Sequence, residues 1–145
     1  MAQVTVGWIE TVSLPSLGVK GVLAKVDTGA FSGALHCTDI HVVRRGWNRK
    51  RYLKFTPLGD PKLTTETDVF KQTHIRSATG HRIRRFIVDT EVLVQGKKYP
   101  IRIGLSDRSD MKRAVLLGRR FLRENEMLVD VCINEELDDE GELTK

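Results

Sequence analysis

The sequence is poor in residues that staple or punctuate a small protein: 2 cysteines, 4 prolines and 6% aromatics in 145 residues. Two cysteines make no disulfide framework, so Cys37 and Cys132 read as free thiols of a cytoplasmic chain. No apolar run approaches the roughly 18 residues that a membrane helix needs. The N-terminus lacks the basic and then apolar segments of a secretory signal. The expectation is a cytoplasmic protein with no membrane partner. What is present is globular: 40% hydrophobic and 30% charged residues, at a length suited to one domain that buries a core without metal or disulfides.

The charge is unevenly placed. The formal net charge is +5, but residues 135–145 hold six acids and one lysine. The body before them carries the opposite excess, +10. We therefore expect one domain over 1–134 and an acidic, flexible tail over 135–145. A basic body fits an anionic partner, either an acidic peptide or protein or a nucleic acid. It equally fits a solvated surface.

Helical periodicity is scarce. Short β-branched segments broken by Gly, Pro, Asn and Asp predict strands over Val4–Val12, Gly21–Val26, Leu35–Val43, Phe86–Val94, Tyr99–Ile103, Val115–Leu117 and Met127–Ile133. Arg44–Arg51 reads as a charged hairpin tip, and Gln95–Lys98 as a second hairpin. Gly118–Asn125 is the one short helix. The fold class is mainly β with one short C-terminal helix.

Asp27-Thr28-Gly29 closes an apolar strand. Gly29 permits a tight turn and Thr28 can hold it, so the carboxylate would be presented on a fixed loop. Alone, such a tripeptide is also an ordinary β-turn. Downstream, Val115-Leu116-Leu117-Gly118-Arg119-Arg120-Phe121-Leu122 is an apolar strand, a glycine and a helical turn.

That pair resembles the half-domain of the retropepsins, the viral-type aspartic proteases. A narrower resemblance covers most of residues 3–133. The chain is similar to a bacterial and archaeal family labelled ATP-dependent zinc proteases, which has a retropepsin-like barrel and sometimes accompanies ligases that add glutamates to a ribosomal protein. It rests on Lys25–Ala30, Ala34-Leu35-His36, Ser77 with Gly80, Arg85–Val88, and Asp107–Met111 leading into Leu116–Leu122. After Ala30 that family usually continues Arg-Thr-Ser, whereas here Phe31-Ser32-Gly33 follows.

The resemblance implies an aspartic peptidase working as a homodimer, with Asp27, Thr28 and Gly29 as the catalytic loop. It implies a flap near Arg76–Arg82, and an acidic or glutamate-rich peptide substrate. Ala30, Ser32, His36, Arg76, Ser77, Gly80, Arg85, Arg108 and Arg119 would line the substrate site. Asp107 is a candidate second acid or a turn residue. The label's ATP and zinc find no support in motifs. There is no G-x-x-x-x-G-K-[ST] cradle, and His36, His41, His74 and His81 form no H-x-x-x-H pair. No metal and no cofactor are expected. The alternative is a non-catalytic module on the same fold that grips an anionic peptide or RNA. Its best support is Arg44–Tyr52, five cations around Trp47 and Tyr52.

Overall fold

The computed structural model describes residues 3–76 and 79–138. Its strands are β1 (Thr5–Val6), β2 (Ile9–Leu14), β3 (Val19–Asp27), β4 (Gly33–Arg45), β5 (Lys50–Pro57), β6 (Thr65–Thr67), β7 (Lys71–Arg76), β8 (Arg82–Val94), β9 (Lys97–Ser106), β10 (Val115–Gly118) and β11 (Leu128–Val129). One short α-helix, α1 (Arg119–Glu124), follows β10 directly. The mainly β barrel with one short C-terminal helix expected from the sequence is what the chain forms.

The barrel closes on six strands. The order β10–β3–β2–β8–β9–β4 returns to β10, because β4 also pairs with β10. β10 is parallel to β3 and antiparallel to β4, so this four-residue strand is the seam of the ring. A closed ring leaves no exposed ladder along its wall. Its interior is filled by alternate residues: Val12 and Leu14 of β2, Ala24 and Val26 of β3, Phe86, Val88, Val92 and Val94 of β8, and Ile101, Ile103 and Leu105 of β9. The turn between β8 and β9 places Gln95 and Gly96 at positive φ, the backbone twist that two-residue hairpins prefer.

Two hairpin arms run beyond the ring. From His41 onward β4 pairs only with β5, down to Arg45 opposite Lys50. Residues 82–85 of β8 pair only with β7, which forms the hairpin expected for the flap.

The sequence reading needs correction at both ends. Val4–Val12 is not one strand but β1 and β2, broken at Gly7-Trp8. A Cβ at Gly7 would lie 2.3 Å from the Ile133 carbonyl oxygen, so the C-terminal segment crosses there. Met127–Ile133 keeps only Leu128–Val129 as strand, parallel to β1. Asp130 ends it by accepting the Cys132 N–H on its side chain (2.9 Å) and the Ile133 N–H on its carbonyl (3.1 Å), a local bond that competes with the ladder. The buried Glu10 carboxylate ties these pieces together. Its Oε2 accepts from Gly7 N–H (2.7 Å), Asn134 Nδ2 (3.2 Å) and Gln95 Nε2 (3.3 Å), which offsets the burial of its charge. Glu135–Leu137 forms one 3₁₀ turn whose Leu137 carbonyl accepts from Arg113 Nη2 (3.3 Å). Residues 139–145 of the expected tail lie outside the described residues.

Cys37 lies in the core, where burial pushes its thiol up to about 12, while Cys132 is exposed. Thiol titration of the native protein is expected to modify Cys132 at once and Cys37 only after denaturation. Fast reaction of both in the native state would contradict the packing of β4.

Candidate functional site

The site is built where β3 ends beside β10. Gly118 pairs with Asp27 across the parallel ladder. The chain then leaves β3 through Thr28-Gly29, and the turn is self-bonded. Gly29 N–H donates to Asp27 Oδ1 (2.9 Å) and Ala30 N–H to the Asp27 carbonyl (3.3 Å). This is the Asx geometry by which a short acid fixes its own loop. It also orients the carboxylate. Among the described residues no other hydrogen bond reaches the Asp27 carboxylate.

Helix α1 clamps the loop from behind. The first N–H groups of a helix have no partner within it, and Gly118 before α1 has no side chain to offer. The loop supplies carbonyls instead: Arg119 N–H donates to Ala30 (2.8 Å) and Arg120 N–H to Phe31 (3.1 Å). The Arg119 guanidinium adds a bond from Nη1 to the Gly29 carbonyl (3.0 Å). Backbones approach this closely only because both crossing positions are glycine. A Cβ at Gly118 would sit 2.7 Å from the Phe31 carbonyl oxygen, and one at Gly33 would sit 2.7 Å from that of Leu116.

Phe31, where the resembled family carries arginine, is 48% exposed. Its ring lies under Arg119 (5.4 Å) and Arg120 (5.9 Å). The loop therefore presents an apolar face backed by two cations, four residues after Asp27. Ser32 lines a shallow groove with Arg102, Arg120 and Glu124.

A second cluster lies on β4 and the segment after β9. His36 Nδ1 accepts the Arg108 N–H (2.8 Å), which fixes the ring between β4 and the 107–110 turn. Arg108 is partly buried and donates from Nε to the Arg113 carbonyl (3.1 Å). Burial first, and then the charge of Arg85, pull Arg108 below the usual arginine range, while Asp110 and Asp27 oppose this. Arg108 thus stands within electrostatic reach of both Asp27 and Arg85. Arg85 starts the arm of β8 and packs its stem against Gly104. Asp107, weighed as a second acid, is a turn residue here. Its Oδ1 accepts from the Ser109 N–H (2.9 Å) and the Ser109 hydroxyl. Those bonds, and then nearby His36, hold its carboxyl below the ordinary range.

The structure brings together Asp27, Thr28, Gly29 and Ala30 on one loop, with Arg119 of α1 bonded to it, while Arg108 feels the charges of both Asp27 and Arg85 and its N–H is held by His36. Gly80 lies in the β7–β8 turn at positive φ, in open space. Arg76 ends β7 opposite Arg82, and Ser77 lies outside the described residues. Arg113, buried and bonded to Leu137, was not singled out from the sequence. Its one signal was an arginine two residues before an apolar strand. No group of three metal-ligating side chains is found among the described residues.

Known proteins share this architecture. A family model described as the retropepsin-like aspartic endopeptidase RimB matches residues 5–139. That description names neither ATP nor zinc. A probable alpha-L-glutamate ligase of Parasynechococcus marenigrum is 29% identical over 123 residues, 83% of this chain and 26% of its own length. One of Shewanella pealeana is 26% identical over 141 residues, 95% of this chain and 31% of its own. The chain therefore spans under a third of these curated relatives. A crystal structure of a Legionella pneumophila protein of unknown function superposes with a TM-score of 0.65 at 23% identity. The match covers 91% of this chain and 96% of that one, and the fold is shared.

Two outcomes follow from the loop. Gly118→Ala is expected to lower unfolding free energy by about 1–3 kcal/mol in denaturant titration, because the new methyl meets backbone. An unchanged midpoint would mean that the crossing is looser than described. The Asp107 carboxyl, followed by NMR, is expected to titrate below the ordinary value of about 3.9 and to rise in Ser109→Ala. Because the folded value is the lower one, its contribution to stability is present above about pH 4 and is lost as pH falls through the folded value.

Proposed function

This chain belongs to the RimB-like family of retropepsin-like aspartic endopeptidases, and we propose that it hydrolyses peptide bonds as a homodimer with one Asp27 from each copy. The observation that carries the reading is the Asp27 loop: a carboxylate oriented by the Gly29 N–H and clamped by α1 through Ala30, Phe31 and Arg119. One chain supplies one such acid, and the water-activating chemistry needs two.

Two carboxylates brought close across a two-fold axis do not both ionise cheaply, so they share one proton. The ionised Asp27 takes a proton from water as the water attacks the scissile carbonyl. The protonated Asp27 donates to the carbonyl oxygen. The proton then passes to the leaving amine as the C–N bond breaks. The clamp on the loop supports this scheme, because a dyad works only at fixed separation.

The proposed substrate is an acidic, glutamate-rich peptide. Arg108, which feels the charge of Asp27 and has Arg85 as a second cation near it, and the basic body support that choice. So does the naming of longer relatives as probable alpha-L-glutamate ligases. Arg76 and Gly80 would belong to the flap that covers it. Ala30, Ser32, His36 and Arg119 would shape the floor.

Purified protein is expected to shorten a peptide carrying a polyglutamate tail, with a bell-shaped pH profile. Asp27→Asn is expected to reduce the rate by at least ~100-fold while leaving the sedimenting species a dimer. Equal cleavage by wild type and variant would remove the catalytic assignment, and a monomeric active species would remove the shared dyad.

A further inference from the structure

The β4–β5 arm carries a surface that peptide hydrolysis does not use. From His41 to Arg45 and from Lys50 to Lys54 the two strands pair with each other, and β6 covers β5 only as far as Leu53. At about 3.3 Å per residue, the tip stands on the order of 30 Å along the strand from His36. Trp47 sits in the tip turn and is 96% exposed. A tryptophan so fully hydrated contributes nothing to a core. No other large hydrophobic side chain between residues 41 and 52 is strongly exposed.

The cations beside it fall into two sets. Arg45 lies opposite Lys50, and Arg44 lies opposite Arg51. Side chains directly opposite share a face, and like charges there repel. The Arg45–Lys50 face is neutralised: Arg45 pairs with Glu66, and Lys50 Nζ lies 2.8 Å from Asp68. The Arg44–Arg51 face is not. Among the described residues no carboxylate pairs with Arg44, Arg49 or Arg51. Arg44 reaches the Arg49 carbonyl (3.4 Å), and Arg51 reaches the Gln72 side-chain carbonyl (3.1 Å) and lies over Phe70 (5.5 Å). Neutral partners orient the Arg44 and Arg51 guanidiniums and leave their charge uncompensated.

We propose that the β4–β5 tip is a single-stranded RNA-binding site, in which Trp47 stacks on a base and Arg44, Arg49 and Arg51 pair with phosphates. A flat, exposed aromatic ring in the turn of an arm whose strands carry unneutralised arginines is the combination that single strands reward. A membrane or an apolar protein groove would call for several exposed apolar residues around Trp47; residues 41–52 offer no other, and Val69, beside the Asp68 that pairs with Lys50, is a single one. A duplex keeps its bases stacked and offers Trp47 no free face. The site is independent of Asp27.

The test is fluorescence anisotropy of the full chain with a labelled oligouridylate of about twelve nucleotides, titrated across salt. Trp47→Ala is expected to weaken binding at least ~5-fold, and Trp47→Phe to retain most of the affinity. Replacing Arg44 and Arg51 together by glutamine is expected to reduce the slope of log affinity against log salt by ~1.4. Asp27→Asn is expected to bind as wild type does. No binding at about 50 mM salt, or equal affinity of wild type and Trp47→Ala, overturns the proposal. So does a duplex, an anionic vesicle or a polyglutamate peptide whose binding falls with Trp47→Ala while the oligouridylate's does not. Trp47, Arg44 and Arg51 are exposed, and an unchanged unfolding midpoint is the accompanying control for each variant.

Discussion

Two backbones pass within contact distance at Gly33 and Gly118, and the rest of the structure depends on that passage. A single methyl at either position would enter a carbonyl oxygen's space. With hydrogen there instead, β10 lies between β3 and β4 and bonds to both. The ring of six strands closes, and α1 begins at the one place where its free N–H groups meet the carbonyls after Asp27. Barrel closure, helix start and loop position are therefore one event. The residue that carries the acid pairs with the glycine that permits the crossing.

The molecule divides its charge according to rigidity. Among the described residues the one buried carboxylate, Glu10, is satisfied by amide donors. Around the Asp27 loop two arginines are bonded to backbone, Arg119 to Gly29 and Arg108 to Arg113, while Arg120 pairs with Glu124. Held by carbonyls, a guanidinium keeps its full charge and loses its freedom, the state in which a cation favours an incoming anion without first reorganising. On the arms the pairing is different. Carboxylates neutralise one face of β4–β5 and leave the other, a directional asymmetry that net charge does not reveal.

Much of the barrel was legible in the sequence because its strands have one wet and one dry face, and alternation in β8 and β9 follows directly. The strands β6 and β7 were not read. Thr65–Thr67 is polar throughout and Lys71–Arg76 has Ile75 as its one apolar residue, and a strand outside the core leaves no period-2 signal. The overlong readings at Val4–Val12 and Met127–Ile133 failed for a related reason. Both have strand composition, and both are interrupted by tertiary facts: the crossing of Ile133 over Gly7 and the self-bonding of Asp130. At the site, Asp27 and Gly118 were legible as chemistry at a strand end. The exposure of Phe31 and Trp47 was not, because composition tells how apolar a residue is and not which side of the wall it faces. Arg113 was hidden for the same reason in reverse.

The pairing of β1 with β11 carries a mechanical consequence. These strands come from opposite ends of the domain and run parallel, Thr5 beside Leu128 and Val6 beside Val129. Tension applied to the two flanking chain directions would draw them past each other, loading their hydrogen bonds together in shear instead of opening them one at a time. The Glu10 carboxylate, bonded to both Gly7 and Asn134, sits behind that short ladder as a second fastening. Under such a pull this two-residue ladder and the Glu10 fastening would be loaded ahead of the barrel strands.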